Sequence, residues 1–311
     1  MQIDNLYEII KQSDFKTAIR LCKSNKDLWN LCRLDPLRKI INDKKRKYVN
    51  TEIKIYTGRY RTNPIGYASH DGNVYVVDEL MKRGYDPTEG GNFAIKMASA
   101  NGHLDVVNRL LQDPNVDPSA NNDDAIQFAS TEGHLSVINR LLQDRRVNPA
   151  SRYNQALLTA IIYGHLNVVN RLLQDPRVNP SINNNEALLK AIIHGKVNIV
   201  DRLLQDRRIN PSIDNNKALL KAIRSGKVNI VNRLLQDRRI DPSRNNNEAL
   251  ALAKEENRID IVKRLSLDPR VNPNARYKQI PQLLQNYQTG RFSQYSYLSD
   301  DSDNTAINLL D

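Results

Sequence analysis

The chain has 311 residues, of which 40% are hydrophobic and 26% are charged, and its formal net charge is +11. This hydrophobic content excludes a chain that is disordered throughout, and no apolar run approaches the ~20 residues that a membrane-spanning helix needs. The charge is uneven, because residues 1–61 carry 15 Lys and Arg against 7 Asp and Glu, which leaves only +3 for the other 250 residues. A basic N-terminal part on a nearly neutral body does not fit a protein that grips nucleic acid along its whole length.

The first 41 residues predict three short helices, because apolar residues recur there at helical spacing. The residues that define them are Leu6, Ile9 and Ile10, then Phe15, Ile19, Leu21 and Cys22, then Leu28, Trp29, Leu31 and Cys32. The N-terminus has no basic segment followed by an apolar one, so we expect no secretory signal. With two cysteines and no C-x-x-C spacing, the chain is expected to be intracellular and its thiols reduced.

The basic run Lys44–Lys47 has two interpretations. It is either a nuclear import signal or phosphate-binding patch, or a solvated helix end or linker. The first interpretation keeps open the alternative of a nucleic-acid-associated protein, whose binding would weaken steeply with salt.

Three residue types then recur in register every 31 residues, which indicates a stack of repeated units. They are the glycines Gly102, Gly133, Gly164, Gly195 and Gly226, the aspartates Asp113, Asp144, Asp175, Asp206, Asp237 and Asp268, and the prolines Pro118, Pro149, Pro180, Pro211, Pro242 and Pro273.

One unit, residues 184–213, shows the pattern within each repeat. Two apolar stripes at helical spacing flank Gly195, which predicts two helices separated by a turn. The pair Asn184–Asn185 suits a tight turn in which residues adopt left-handed conformation. Neither helix can bury its stripe alone, so neighbouring units must stack.

The runs GHLDVVNRLL (102–111), GHLSVINRLL (133–142) and GHLNVVNRLL (164–173) resemble the core of ankyrin repeats. The resemblance covers residues 64–275 as seven units and implies an all-α ankyrin-type solenoid that binds other proteins. The T-P-L-H of that family is replaced here by E-A-L-L (186–189), and the 31-residue period shortens the loop, so full β-hairpin fingers are in doubt. LLQDPRVNPS is similar to sequences in ankyrin-repeat proteins of giant DNA viruses of amoebae, which implies host–virus interaction in the host cytoplasm, or in the nucleus through the basic run.

The segment 13–41 resembles an F-box, a module that couples substrate-binding repeats to cullin-type ubiquitin ligases. The resemblance assigns docking of the ligase adaptor to four residues, Leu21, Leu31, Pro36 and Leu37. The alternative is an irregular helical cap that covers the apolar face of the first repeat.

These patterns predict four parts of the chain: an F-box-like helical cap over 1–62, ankyrin-type repeats over 63–275, a short C-terminal cap helix over 276–286 and a disordered tail over 287–311.

No motif of catalysis or cofactor binding occurs in the sequence, so we expect no enzyme, no cofactor and no metal site. The residues His103, His134 and His165 occupy one position of three successive repeats, which favours a hydrogen-bonding role at the turn over metal coordination. The arginines four residues before the repeated aspartates, such as Arg109 before Asp113, favour intrahelical or inter-repeat ion pairs.

In a stack of repeats the variable exposed positions bind the partner. We therefore predict a binding site on the first helices of the central repeats for an acidic protein, on a chain expected to be a monomer. Its residues are Ile162, Tyr163, Lys190, Ile193, His194, Lys221 and Arg224. The alternative for Ile162 and Ile193 is that they pack between neighbouring first helices.

Overall fold

The computed structural model describes residues 3–24, 26–34, 37–60 and 62–272, which contain 18 helices and no strand. The predicted C-terminal cap helix over 276–286 and the predicted tail over 287–311 lie outside these residues. So do the end of the predicted repeat region and Pro36.

Four helices precede the repeats: α1 (Ile3–Gln12), α2 (Phe15–Lys23), α3 (Lys26–Cys32) and α4 (Leu37–Arg59). The first half of α4 completes an apolar cluster with α1, α2 and α3, which we call the N-terminal cluster. Its buried residues are Leu6, Ile10, Phe15, Ala18, Cys22, Cys32, Leu37 and Ile41. The second half of α4 carries Val49, Ile53 and Tyr56 one and two helical turns apart, and these pack into the core of the repeats. A single 23-residue helix therefore joins both cores.

The expectation of two reduced thiols is contradicted, because Cys22 and Cys32 form a disulfide between α2 and α3. The two helices pack against each other and bring the two Cα atoms within 5.9 Å. The spacing of the cysteines along the sequence could not show this, because the proximity arises from helix packing.

Seven helix pairs follow, and we number them as repeats 1 to 7. They are α5 (Pro64–His70) with α6 (Val74–Lys82), α7 (Glu89–Ala100) with α8 (Leu104–Leu110), α9 (Ala120–Thr131) with α10 (Leu135–Leu141), α11 (Ser151–Tyr163) with α12 (Leu166–Leu173), α13 (Ile182–Ile193) with α14 (Val197–Leu204), α15 (Ile213–Arg224) with α16 (Val228–Gln236), and α17 (Arg244–Glu255) with α18 (Ile259–Ser266). The first helices pack side by side in one layer and the second helices in another. One continuous core lies between the layers, which confirms the predicted all-α stack.

Each first helix from repeat 2 onward opens with three consecutive residues in left-handed conformation. In repeat 5 these are Asn183, Asn184 and Asn185, with φ of 52°, 56° and 64°. Left-handed conformation is least costly for Gly, Asn and Asp, and these residue types fill the turns of all repeats except repeat 4. This turn stands where the resemblance would place a β-hairpin.

The third residue of each turn ties its repeat to the next one. Asn185 is 2% exposed, and its Nδ2 donates a hydrogen bond of 2.6 Å to the carbonyl of Asn210, which precedes the turn of repeat 6. Asn154, Asn216 and Asn247 make the same bond to residues 25 further on. A buried side chain that satisfies a backbone carbonyl in this way fixes the register between repeats.

A second tie between repeats is an arginine that the sequence pattern did not single out. Arg208 binds the carboxylate of Asp206 through Nε and Nη2, at 2.9 and 2.7 Å. Its Nη1 also donates to the carbonyl of Val178 in the preceding repeat at 2.8 Å. Equivalent arginines bridge the other junctions from repeat 2 to repeat 7, namely Arg146, Arg177, Arg239 and Arg270.

The intrahelical alternative for the arginines four residues before the repeated aspartates is wrong, whereas the inter-repeat alternative is confirmed for two of them. Arg109 instead binds Asp78 of the preceding repeat at 2.7 Å, and Arg233 binds Asp201 in the same way. From Asp144 onward, each repeated aspartate pairs with the arginine two residues later, because the helix has ended and the chain turns back at that point.

The repeated histidines make the hydrogen bonds expected at the turns. The Nε2 atom of His165 lies 2.8 Å from the carbonyl of Thr131 in the preceding repeat, and His103 and His134 make the same contact. Since a carbonyl only accepts, Nε2 carries the proton. The ring covers Gly133, where a Cβ atom would lie 2.5 Å from Nδ1 of His165.

Candidate interaction surface

The layer of first helices carries the predicted binding residues. In α11, α13 and α15 the recurrent Ala, Leu and Ile residues are buried against the second helices. What remains accessible is one position in the middle of each first helix and the pair before each turn glycine. Because these helices pack on one another, the accessible positions of repeats 4, 5 and 6 form one continuous surface. We call it the first-helix surface.

The centre of the first-helix surface is apolar. The side chain of Tyr163 is 59% exposed and that of Ile193 39% exposed. The ring of Tyr163 lies nearly parallel to that of His165, with the centroids 6.5 Å apart. Ile162 is half-buried, so packing between neighbouring helices, the alternative for both isoleucines, fits Ile162 better than Ile193. An exposed aromatic ring beside an exposed aliphatic side chain provides an anchor for a protein partner.

Positive charge flanks this apolar centre. Lys221 and Arg224 are exposed and Lys190 is half-buried, and none of the three forms an ion pair within the described part of the chain. The nearby carboxylate of Glu186 accepts a hydrogen bond of 2.9 Å from Asn183 on its own helix. The cations are therefore free to meet an acidic partner.

His194 lies among these cations, and its burial and their positive charge both affect the pKa of its imidazole. Burial lowers the pKa of its imidazole below the usual value, and the charges of Lys190 and Lys196 lower it further. The ring is thus neutral at pH 7 and adds a hydrogen-bonding group to the surface, not a further charge.

Sequence reasoning missed one exposed aromatic residue in repeat 4. Tyr153 stands in the left-handed turn of α11 with its side chain 70% exposed. The signal was available, since the equivalent positions of repeats 3, 5, 6 and 7 hold Asn. An aromatic residue that pays the cost of left-handed conformation at an exposed site is a candidate contact residue.

The residues assigned to adaptor docking are differently placed. Leu21 on α2 and Leu31 in the last turn of α3 are half-buried, whereas Leu37 is 3% exposed and lies inside the N-terminal cluster. Pro36 lies outside the described residues. Docking through this segment would therefore use Leu21 and Leu31.

The basic run Lys44–Lys47 lies within helix α4, and three of its four side chains have partners in the fold. Lys44 donates a hydrogen bond of 2.6 Å to the carbonyl of Ser13, and Nζ of Lys45 lies 4.8 Å from the centre of the Tyr75 ring. Arg46 pairs with Asp43 at 3.3 Å. Most of the charged groups of this run are therefore engaged in contacts within the protein.

Within the residues that the structure describes, no helix is both long and apolar enough to cross a membrane. The same residues contain no group of three or more His, Cys, Asp or Glu side chains arranged to hold a metal ion.

Comparison with known proteins gives one family. A model described as ankyrin repeats (3 copies) matches residues 65–153, 126–215 and 188–277. Among solved structures, the crystal structure of the human ASB11 ankyrin repeat domain is similar at 17% identity and a TM-score of 0.46, over 61% of this chain and 97% of that chain. No curated protein sequence matches the chain.

Proposed function

Because this chain belongs to the ankyrin-repeat family, whose members typically bind proteins and are not catalytic, we propose that it is an adaptor that binds an acidic protein on its first-helix surface. The resemblance to ankyrin repeats places the first-helix surface on the concave side of the stack. The viral resemblance of the sequence makes a host protein the proposed partner.

One observation supports this proposal above the others. The exposed Tyr163 and Ile193 stand next to Lys190, Lys221 and Arg224, which form no ion pair with any residue that the structure describes. An apolar anchor surrounded by uncompensated charge of one sign favours a partner of the opposite sign that inserts an apolar side chain.

Proximity labelling in expressing cells tests the proposal by comparing the wild type with the double variant Tyr163→Ala, Lys190→Glu. We expect the acidic partners to disappear from the labelled set of the variant. The control is Tyr85→Ala, Lys263→Glu, which removes an exposed tyrosine and reverses an exposed lysine away from the first-helix surface. A labelled set that is the same for all three proteins contradicts the proposal.

A second candidate function is recruitment of a cullin-type ubiquitin ligase through the N-terminal helices. It is supported by the accessibility of Leu21 and Leu31 on neighbouring segments. Pull-down of the ligase adaptor by the full chain should be lost in Leu31→Asp. It should persist in Leu34→Asp, which changes an equally apolar and more exposed residue three positions further on. No binding by the wild type, or equal binding by both variants, excludes this function.

The third alternative, nucleic-acid binding through Lys44–Lys47, has less support. Lys44 contacts Ser13, Lys45 contacts Tyr75 and Arg46 contacts Asp43, so Lys47 is the member of the run without such a partner among the described residues. Phosphate binding needs several free cations, and the run therefore gives nucleic-acid binding little support.

A further inference from the structure

A cavity of about 310 Å³ opens where α2, α3 and α4 meet, far along the chain from the first-helix surface. Its floor is apolar, because it consists mainly of buried members of the N-terminal cluster. These floor residues are Phe15, Ile19, Cys22, Cys32 and Ile41. We call this cavity the N-terminal cleft.

The rim of the N-terminal cleft is cationic. Arg33 and Arg38 are exposed and form no ion pair among the described residues, and Lys45 lies on the same face of α4 two turns after Arg38. No Asp or Glu of the described residues lines the cavity. Two free guanidinium groups at one opening bind carboxylates well, because each can donate two parallel hydrogen bonds.

Trp29 completes the rim, with its side chain 40% exposed. Arg33, the first residue after α3, lines the same opening. A large aromatic side chain left this accessible, above an apolar floor, is typical of a residue that covers a ligand's apolar group. It is also the only tryptophan of the chain.

We propose that the N-terminal cleft is a second binding site, which takes an acidic segment of a partner protein with one large apolar side chain between its carboxylates. The apolar side chain enters the floor beneath Trp29, and the carboxylates meet Arg33 and Arg38. This site is independent of the first-helix surface and goes beyond the function proposed above.

A peptide fits this cleft better than a nucleotide does. The edge of a nucleobase carries several hydrogen-bonding groups, and these need partners when they are buried. Asn42 is the one uncharged amide side chain in the lining, and the floor offers only aromatic and aliphatic groups and the disulfide. A leucine or phenylalanine side chain leaves no such group unsatisfied.

Fluorescence of Trp29 in the full chain tests the proposal. We titrate it with the peptide Asp-Glu-Leu-Phe-Glu-Asp, which contains no Tyr or Trp, and expect a saturable blue shift whose Kd rises with salt. Arg33→Glu and Arg38→Glu should each raise the Kd at least tenfold. Lys23→Glu is the matched control, because it reverses an exposed charge of α2 that does not line the cleft, and it should leave the Kd within about twofold.

Three further arms have outcomes that overturn the proposal. Equal binding of a peptide in which Leu-Phe is replaced by Gly-Ser would mean that only charge is recognised, and equal binding of AMP would make the ligand a nucleotide. Tighter binding by the chain with Asp300, Asp301 and Asp303 changed to Asn would show that its own acidic segment occupies the cleft. The variant Lys221→Glu, Arg224→Glu separates the two sites, since it should leave the Trp29 titration unchanged even if partner binding to the first-helix surface fails.

Discussion

At the scale of single residues, Arg208 should stabilise the stack while its neighbour Arg207 should not. Arg208 bonds Asp206 and the carbonyls of Val178 and Leu173, whereas Arg207 is exposed and makes no contact of this kind among the described residues. We expect Arg208→Ala to lower the free energy of unfolding by about 1–2 kcal/mol, because it leaves two carbonyls without a charged donor. Arg207→Ala should change it by less than ~0.5 kcal/mol, as measured by urea unfolding.

The pH dependence of the same pair gives an independent check. The hydrogen bonds from Arg208 lower the pKa of the Asp206 carboxyl below its usual value. The stabilisation is therefore complete above the pKa of an unfolded Asp, near 3.8, and is lost as the pH falls through the lower pKa of the folded protein. The difference between wild type and Arg208→Ala should shrink in acid. A difference that stays constant down to pH 2 would show that Asp206 contributes nothing.

Which of two adjacent arginines binds was not predicted, although Arg177 and Arg270 keep the second position where Pro176 and Pro269 replace the first. The dipeptide Arg207–Arg208 recurs in other repeats, and both members have the same chemistry. The choice depends on the direction of the chain after the helix ends, which only the folded turn defines. The Asn-rich turns were predictable for the opposite reason, because left-handed conformation is a local preference of the residues themselves.

At the scale of the element, the left-handed turn should depend on its third residue far more than on its second. Asn185 is buried and donates to the carbonyl of Asn210, whereas Asn184 is exposed and its side chain bonds the exposed Asp214 and no other described residue. Asn185→Gly keeps the backbone conformation but loses that bond, so it should cost about 1–3 kcal/mol. Asn185→Ala should cost roughly 1 kcal/mol more, because alanine disfavours positive φ. Thermal and urea unfolding of both variants give these values.

Asn184→Gly is the control for this turn, and it should change stability by less than ~0.5 kcal/mol. If Asn184→Gly and Asn185→Gly are equally costly, the bond to Asn210 is not what stabilises the turn. If alanine at position 185 is as stable as glycine, the left-handed conformation there is wrong.

The elements themselves were predictable to different degrees. The paired helices of the repeats follow from apolar stripes on both sides of each glycine, such as Gly195. Helix α4 was not predicted, because the basic run Lys44–Lys47 interrupts its buried face between Ile41 and Val49. The disulfide and the N-terminal cleft were also missed, since both arise where separate helices meet.

At the scale of the whole molecule, the stack is a one-dimensional array in which each repeat contacts its neighbours. The stability of such an array is the sum of the stabilities of the single repeats and of the junctions between them. The effect of a destabilising substitution therefore depends on the repeat in which it lies. The binding site was only partly predictable, because contacts between neighbouring repeats determine which side chains are exposed. The sequence identifies which positions vary, but the unequal exposure of Ile162 and Ile193 depends on the neighbouring first helices.

Equivalent leucines in two repeats test this additivity. Leu203 of repeat 5 and Leu265 of repeat 7 occupy the same position of the second helix, and both are fully buried. Replacing either by alanine leaves a cavity that costs about 2–5 kcal/mol locally. Hydrogen exchange should become faster from α15 to α18 for Leu265→Ala, because repeat 6 loses its junction with repeat 7, and repeat 7 has a neighbouring repeat on one side among the described residues. For Leu203→Ala it should become faster from α11 to α16, since repeats 4 and 6 both lose a junction. Faster exchange in α7 and α8 for Leu265→Ala would mean that the stack unfolds as one cooperative unit, and the sum over junctions would then not describe it.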